Sequence, residues 1–126
     1  MMILVAGPYR SGTGDDPVKL AANVRAMEAY ALPLFRAGHL PMVGEWLGLP
    51  LVALAGSRRI GDEPFNELFH PIAERLLERC DAILRIGGAS QGADALVKLA
   101  QSRGLVVFHA LRDVPGCESA AEPAIG

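Results

Sequence analysis

The chain is 126 residues long, the size of one domain, and 51% of it is apolar, so a core can form without metal or disulfide staples. Its formal net charge of −2 gives it no basic face, which excludes binding to DNA or RNA polymers as its main task. One basic loop can still take a small phosphate ligand.

Four short apolar runs, residues 2–6, 40–43, 82–86 and 105–109, are too short for helices and do not alternate. That is the pattern of strands buried on both faces of a parallel sheet. The first run has no basic residues before it and leads straight into Gly7-Pro8, so it reads as a strand and not as a signal peptide. Asp15-Asp16-Pro17 is a helix start, and Leu20, Val24, Met27, Ala31 and Leu34 then recur at helical spacing. Pro33 falls inside that pattern and predicts a kink or restart near Leu32. Residues 45–55 are apolar but broken by Gly48 and Pro50, which suggests a short helix or turn. Residues 56–64 read as a mobile lid or subunit contact.

A helix over about 65–79 buries Phe69, Ile72, Ala73, Leu76 and Leu77, with Pro71 in its first turn or kinking it. The last helix spans about 90–103, burying Ala93, Leu96, Val97 and Ala100, and Gly104 ends it. The tail from Arg112 is weakly patterned and is expected to fray or to dock on a neighbour. Strands alternating with helices make one domain over residues 1–126, built of right-handed βα units. No run approaches the roughly 20 apolar residues of a membrane span. Cys80 and Cys117 are too few for a disulfide scaffold and lack metal-ligand spacing. The expected setting is the cytoplasm, with no membrane partner, no metal and no cofactor.

Ligands of open parallel sheets bind beyond the carboxyl ends of the strands. Three loops land there. Gly7-Pro8-Tyr9-Arg10-Ser11-Gly12 follows the first strand; its glycines allow close backbone approach, Arg10 can fork onto a phosphate or carboxylate, and Tyr9 offers a ring face and a hydroxyl. A plain flexible turn explains the same glycines. Gly87-Gly88-Ala89-Ser90-Gln91-Gly92 leads directly into a helix, where backbone N–H groups attract anions and Ser90 either caps the helix or binds phosphate. Glu45 and Trp46 follow the second strand, as a ribose acceptor and a base-stacking ring, or as a helix-start acid and a core Trp. His70 reads as structural, and Met27 and Met42 as core fillers.

Gly7-Pro8-Tyr9-Arg10, then Cys80-Asp81-Ala82-Ile83-Leu84, Ser90-Gln91-Gly92-Ala93, Ala100 and Gly104, resemble in order and spacing the nucleoside 2-deoxyribosyltransferase-like superfamily. The match covers most of residues 2–109. It looks closest to the small domain-of-unknown-function branch, related to the deoxynucleoside 5′-monophosphate N-glycosidases. The resemblance implies an α/β, flavodoxin-like three-layer sandwich with four or five parallel strands, assembled as a homo-oligomer. It implies a nucleoside or nucleotide substrate, a glutamate that forms a glycosyl–enzyme intermediate, a tyrosine at Tyr9 that positions it, and a helix N-terminus at Ser90 that binds sugar or phosphate.

Two positions depart from the family. Its nucleophile falls on Leu96, six residues after Ser90, and its other carboxylate falls near Ala73. Asp94 lies about 200° around the helix from Leu96, though it can reach a pocket from the first turn. Catalysis therefore needs a relocated carboxylate, with Asp94, Glu45 or Asp16 as candidates. The competing reading is a catalytically inactive nucleotide-binding or sensing module, and a third is an unrelated Rossmann-like nucleotide binder. The apolar 46–55 stretch independently suggests a homo-oligomer.

Overall fold

The computed structural model of the chain describes residues 1–123. Four strands, β1 (Met2–Ala6), β2 (Leu40–Val43), β3 (Ala82–Arg85) and β4 (Val106–Phe108), form an all-parallel sheet in the order β2-β1-β3-β4. The connecting helices are α1 (Pro17–Glu28), α2 (Ala31–Arg36), α3 (Gly44–Leu54), α4 (Glu63–Arg79) and α5 (Gln91–Ser102), and a 3-10 turn over Leu111–Asp113 follows β4. This is an α/β flavodoxin-like three-layer fold.

The pleat of β1 divides the core. Ile3 and Val5 point to one face, where Met27 and Tyr30 of the α1 end, Leu34 of α2 and the tail residues Leu111, Val114 and Cys117 cover them. Leu4 and Ala6 point to the other, against Leu77 of α4 and Ala93, Leu96 and Ala100 of α5. β1 and β3 are buried on both faces, which is why their sequences run apolar without alternation.

The helix signals hold with adjustments. Pro17 opens α1 as expected, and the helix breaks at residues 29–30 and restarts at Ala31, next to Leu32 as its pattern predicts. Pro33 has no N–H for the carbonyl of Ala29, so the chain interrupts the helix one turn earlier and restarts it with Pro33 in the first turn of α2. Of the short helix or turn expected over 45–55, the helix is found: α3 is eleven residues long and carries Pro50 inside it. Pro71 lies in the interior of α4, not in its first turn, because Asp62 starts that helix earlier by accepting from the Phe65 N–H. The same carboxylate accepts from the Ser57 hydroxyl and the Arg58 N–H, so the 56–64 segment, expected as a mobile lid or subunit contact, is a tight turn up to Asp62 and the start of α4 beyond it.

The tail docks on its own chain. Gly116 packs on Ala37 of the α2 end, Cys117 is buried, and the Leu111 N–H donates to Glu122. Burial and the Glu122 contact push the Tyr30 phenol up to about 12. Residues 124–126, the end of the tail, lie outside the described residues. Among the described residues, no helix is long and apolar enough to cross a membrane.

Leu34 is fully buried between α2 and β1. Leu34→Ala is expected to cost about 2–5 kcal/mol, read as a lower urea midpoint. Leu32→Ala, on the exposed side of the same helix, should move it far less.

Candidate functional site

The chain reverses direction at β1. β2 lies on one side of it, β3 on the other, and the crossovers pass to opposite faces of the sheet. A crevice opens where they part, and a cavity of about 640 Å³ lies over the carboxyl end of β1, within the usual size of small-molecule sites. The loops at its floor are locked together. A Cβ on Gly7 would stand 2.7 Å from Ile86 Cδ1, and one on Gly87, at φ +77°, would stand 2.7 Å from Pro8 Cδ. Both positions need glycine for the β1 and β3 loops to meet.

Three kinds of wall surround the cavity. The β1 loop supplies Gly7, Tyr9, Arg10, Ser11, Gly14 and Asp15. The end of β2 supplies Gly44 and Glu45, and α4 supplies Phe65, Phe69, His70 and Ala73. The start of α5 supplies Ser90, Gln91, Gly92, Ala93 and, one turn deeper, Leu96.

Glu45 is the less exposed of the two carboxyls in this wall, half-buried where Asp15 is exposed. It occupies the first turn of α3, where the helix N-terminus favours its anion. Burial outweighs that effect and pushes its pKa from 4.5 up to about 7. Tyr9 is its neighbour: burial, and then the charges of Glu45 and Asp15, raise the phenol pKa. The Tyr9 ring lies 5.0 Å from Phe69, and Phe69 stacks on Phe65 at 4.6 Å, giving the cavity an aromatic side.

Arg10 stands at the rim, held by Asp15 through a two-pronged contact, Nε to Oδ1 at 2.9 Å and Nη2 to Oδ2 at 3.0 Å. Asp15 adopts φ +61°, unusual for a residue with a side chain. His70 faces the start of α5: a Cβ on Gly92 would lie 4.0 Å from its Nδ1. Ser90 uses its hydroxyl to cap α5, accepting from the Ala93 N–H at 3.1 Å.

Of the residues expected at a site, Gly7, Tyr9, Arg10, Ser11, Glu45, Ser90 and Gly92 meet around this cavity. Gly12, Gly87, Gly88, Trp46 and Asp94 do not line it. Asp94 is engaged by Arg85 of β3, whose Nε donates to it at 3.1 Å while the rest of the guanidinium holds the Ile86 and Gly88 carbonyls. Trp46 is neither a core residue nor in the cavity wall; it is 40% exposed and donates from Nε1 to Glu28 at 2.7 Å. Asp16 is the N-cap residue of α1 and also lies outside the wall.

His70, Phe65, Phe69 and Asp15 reach the cavity without having been singled out as site residues. The i, i+4 pair of Phe65 and Phe69, followed directly by His70, was the available signal. No family model matches the chain, and a search of curated proteins finds no match. Among the described residues, no group of three or more His, Cys, Asp or Glu side chains is placed to hold a metal ion.

A carboxyl whose pKa is raised by folding costs the fold stability once it ionises. The folded chain keeps the Glu45 proton between pH 4.5 and about 7, while the unfolded chain has released it. This contribution to stability therefore falls as pH rises through that window and levels off above it. Glu45→Gln should remove that slope and melt at higher temperature than the parent at neutral pH. Thermal melts of both chains across the window check it.

Proposed function

We propose that this chain is a nucleoside 2-deoxyribosyltransferase-like protein that takes a nucleotide or related sugar phosphate into the cavity and cleaves or transfers its N-glycosidic bond. The presence of both Glu45 and Tyr9 in the wall of one nucleotide-sized cavity carries this reading. Phe65 and Phe69 offer the base an apolar face, and Arg10 and the start of α5 offer an anion its donors. Leu96 and Ala73 line the wall at the positions where the resemblance expects carboxylates. Glu45 then takes the nucleophile's role, entering from α3 and not from α5.

In the reaction, an ionised Glu45 oxygen attacks the anomeric carbon as the bond to the base nitrogen breaks. The bonding pair leaves with the base, which takes up a proton. Water, or a second base, then attacks the same carbon and releases Glu45 as carboxylate. Tyr9, the neutral phenol beside Glu45 in the same wall, is the group that would orient that carboxylate toward the sugar. The competing reading is an inactive nucleotide-binding or sensing module, favoured by the two apolar side chains at the family's carboxylate positions.

Purified protein incubated with ribo- and deoxynucleosides and their 5′-monophosphates should release free base, measured by chromatography. Glu45→Gln should abolish release and Tyr9→Phe should reduce it at least tenfold, about 1.4 kcal/mol of transition-state stabilisation. Release should rise with pH through about 7 as Glu45 ionises. No release from any substrate, with thermal stabilisation by one of them, overturns catalysis in favour of the binding module. Release that survives Glu45→Gln overturns the assignment of the nucleophile.

A further inference from the structure

A base that leaves a sugar needs a proton on its nitrogen, and few groups in the cavity wall can give one. Glu45 is used as the nucleophile. Burial, then the charges of Glu45 and Asp15, raise the Tyr9 phenol, so it keeps its proton. The Arg10 fork holds the Asp15 carboxyl below its ordinary value and therefore ionised, and a guanidinium does not give its proton up. Ser90 is committed to the cap of α5. His70 remains, and histidine is the side chain that exchanges a proton near neutral pH.

Its surroundings suit that exchange. His70 is half-buried in the wall and takes no part in either core cluster. It follows Phe69 on α4 and so adjoins the aromatic side of the cavity. Nε2 lies 3.8 Å from Glu74 Oε1, one turn along the same helix. Nδ1 is turned to the start of α5, where a Cβ on Gly92 would stand 4.0 Å from it. Gly92 lies within α5 and has no positive φ to require glycine; a longer side chain there would reach the ring.

Strand order sets this group apart from Glu45. Glu45 follows β2, whereas the α5 start that Nδ1 faces follows β3, and β1 runs between them beneath the cavity. A displacement at the anomeric carbon needs its nucleophile and its leaving group on opposite sides. The other titratable groups of the wall are Tyr9, Arg10 and Asp15 of the β1 loop and Glu45 of α3. Gln91, Gly92 and Ala93 of α5 carry none, and Asp94 beyond them is held by Arg85.

We propose that His70 is the acid that protonates the departing base, with Glu74 positioning its ring. This rests on the reaction proposed above. The imidazolium gives its Nδ1 proton to the base nitrogen as the bond from that nitrogen to the anomeric carbon breaks and its electron pair leaves with the base. Glu45 forms its bond to the carbon from the other side. The neutral imidazole keeps its Nε2 proton, facing Glu74, so Nδ1 is free to accept. Water then attacks from the side the base has left, Nδ1 takes its proton, and the pair of the Glu45–carbon bond returns to the carboxylate. One proton passes from water to base, and His70 ends as it began.

A pyridinium N-glycoside tests this, because its bond breaks to neutral pyridine and needs no proton. The parent and His70→Gln, with circular dichroism to verify the fold, are given the nucleoside or 5′-monophosphate that the parent cleaves fastest and the pyridinium analogue of the same sugar. His70→Gln should slow release of the ordinary base at least about a hundredfold and release pyridine at close to the parent's rate. With the ordinary base, the parent should slow at alkaline pH as the imidazolium loses its proton; His70→Gln should lack that fall, and so should pyridine release by the parent. Glu74→Gln should slow the ordinary base less than His70→Gln does. Equal loss on both substrates makes His70 a structural residue and overturns the proposal. A His70→Gln chain as fast as the parent, or a parent that releases only pyridine, overturns it while the reaction stands. A parent that releases neither base overturns the reaction and the proposal together.

Discussion

The right-handed crossover is the constraint on which the rest of this molecule depends. With the order β2-β1-β3-β4, the chain leaves β1 in one direction and returns past it in the other. Right-handed connections then must place α1 and α2 on one face and α4 and α5 on the other. The layers part above the carboxyl end of β1, and the cavity opens there. The cavity is a consequence of strand order, and its wall is whatever residues occupy the ends of β1 and β2 and the starts of α5 and α4. Gly7 and Gly87 keep the β1 and β3 loops in contact beneath it.

Within the cavity, two electrostatic effects oppose each other at Glu45. The amino end of α3 favours its anion by about 0.3–1 kcal/mol. Burial favours the neutral acid more strongly: a rise from 4.5 to about 7 corresponds to roughly 3 kcal/mol. Among the described residues no cation restores the balance: Arg10 is turned to Asp15, and Arg85 is occupied by Asp94 and the Ile86 and Gly88 carbonyls. The arrangement therefore keeps one carboxyl near its midpoint at neutral pH beside a phenol, a state suited to a group that must change charge during a reaction. An ion pair at the same place would lock the anion and remove that freedom.

The fold was legible because its signals are local and strong. The apolar runs of β1 and β3, the Asp16-Pro17 start and the Ser90 cap each express a backbone requirement within a few residues. Part of the candidate site was legible for the same reason: Gly7, Tyr9, Arg10 and Ser11 after β1 and Ser90 and Gly92 at the start of α5 line the cavity, while Gly12, Gly87 and Gly88 do not. The α4 part was not legible. Phe65 and Phe69 fit the apolar stripe of a core helix, and only the height of that stripe above the sheet turns them into cavity wall. Asp94 shows the opposite failure: a carboxylate in the first turn of α5 looks available until Arg85, nine residues earlier, is seen to hold it. Trp46 escaped both readings, because a large ring at a strand end can lie along the surface when a carboxylate on another helix meets its indole N–H.

Helix α3 also explains why its sequence defeated periodicity. An amphipathic pattern requires one wet face, and α3 carries apolar side chains on both, so neither a helical nor a strand period stands out. Gly48 and Pro50 then look like breaks. In the structure Gly44 sits over Ala73 and Gly48 over Phe69, so small residues four apart let α3 lie close on α4. That closeness is what moves Glu45 from a surface helix start into the cavity. Larger residues at 44 and 48 would lift α3, wet the carboxyl and return its pKa toward the ordinary range. The composition that obscured the helix is thus the composition that makes Glu45 unusual.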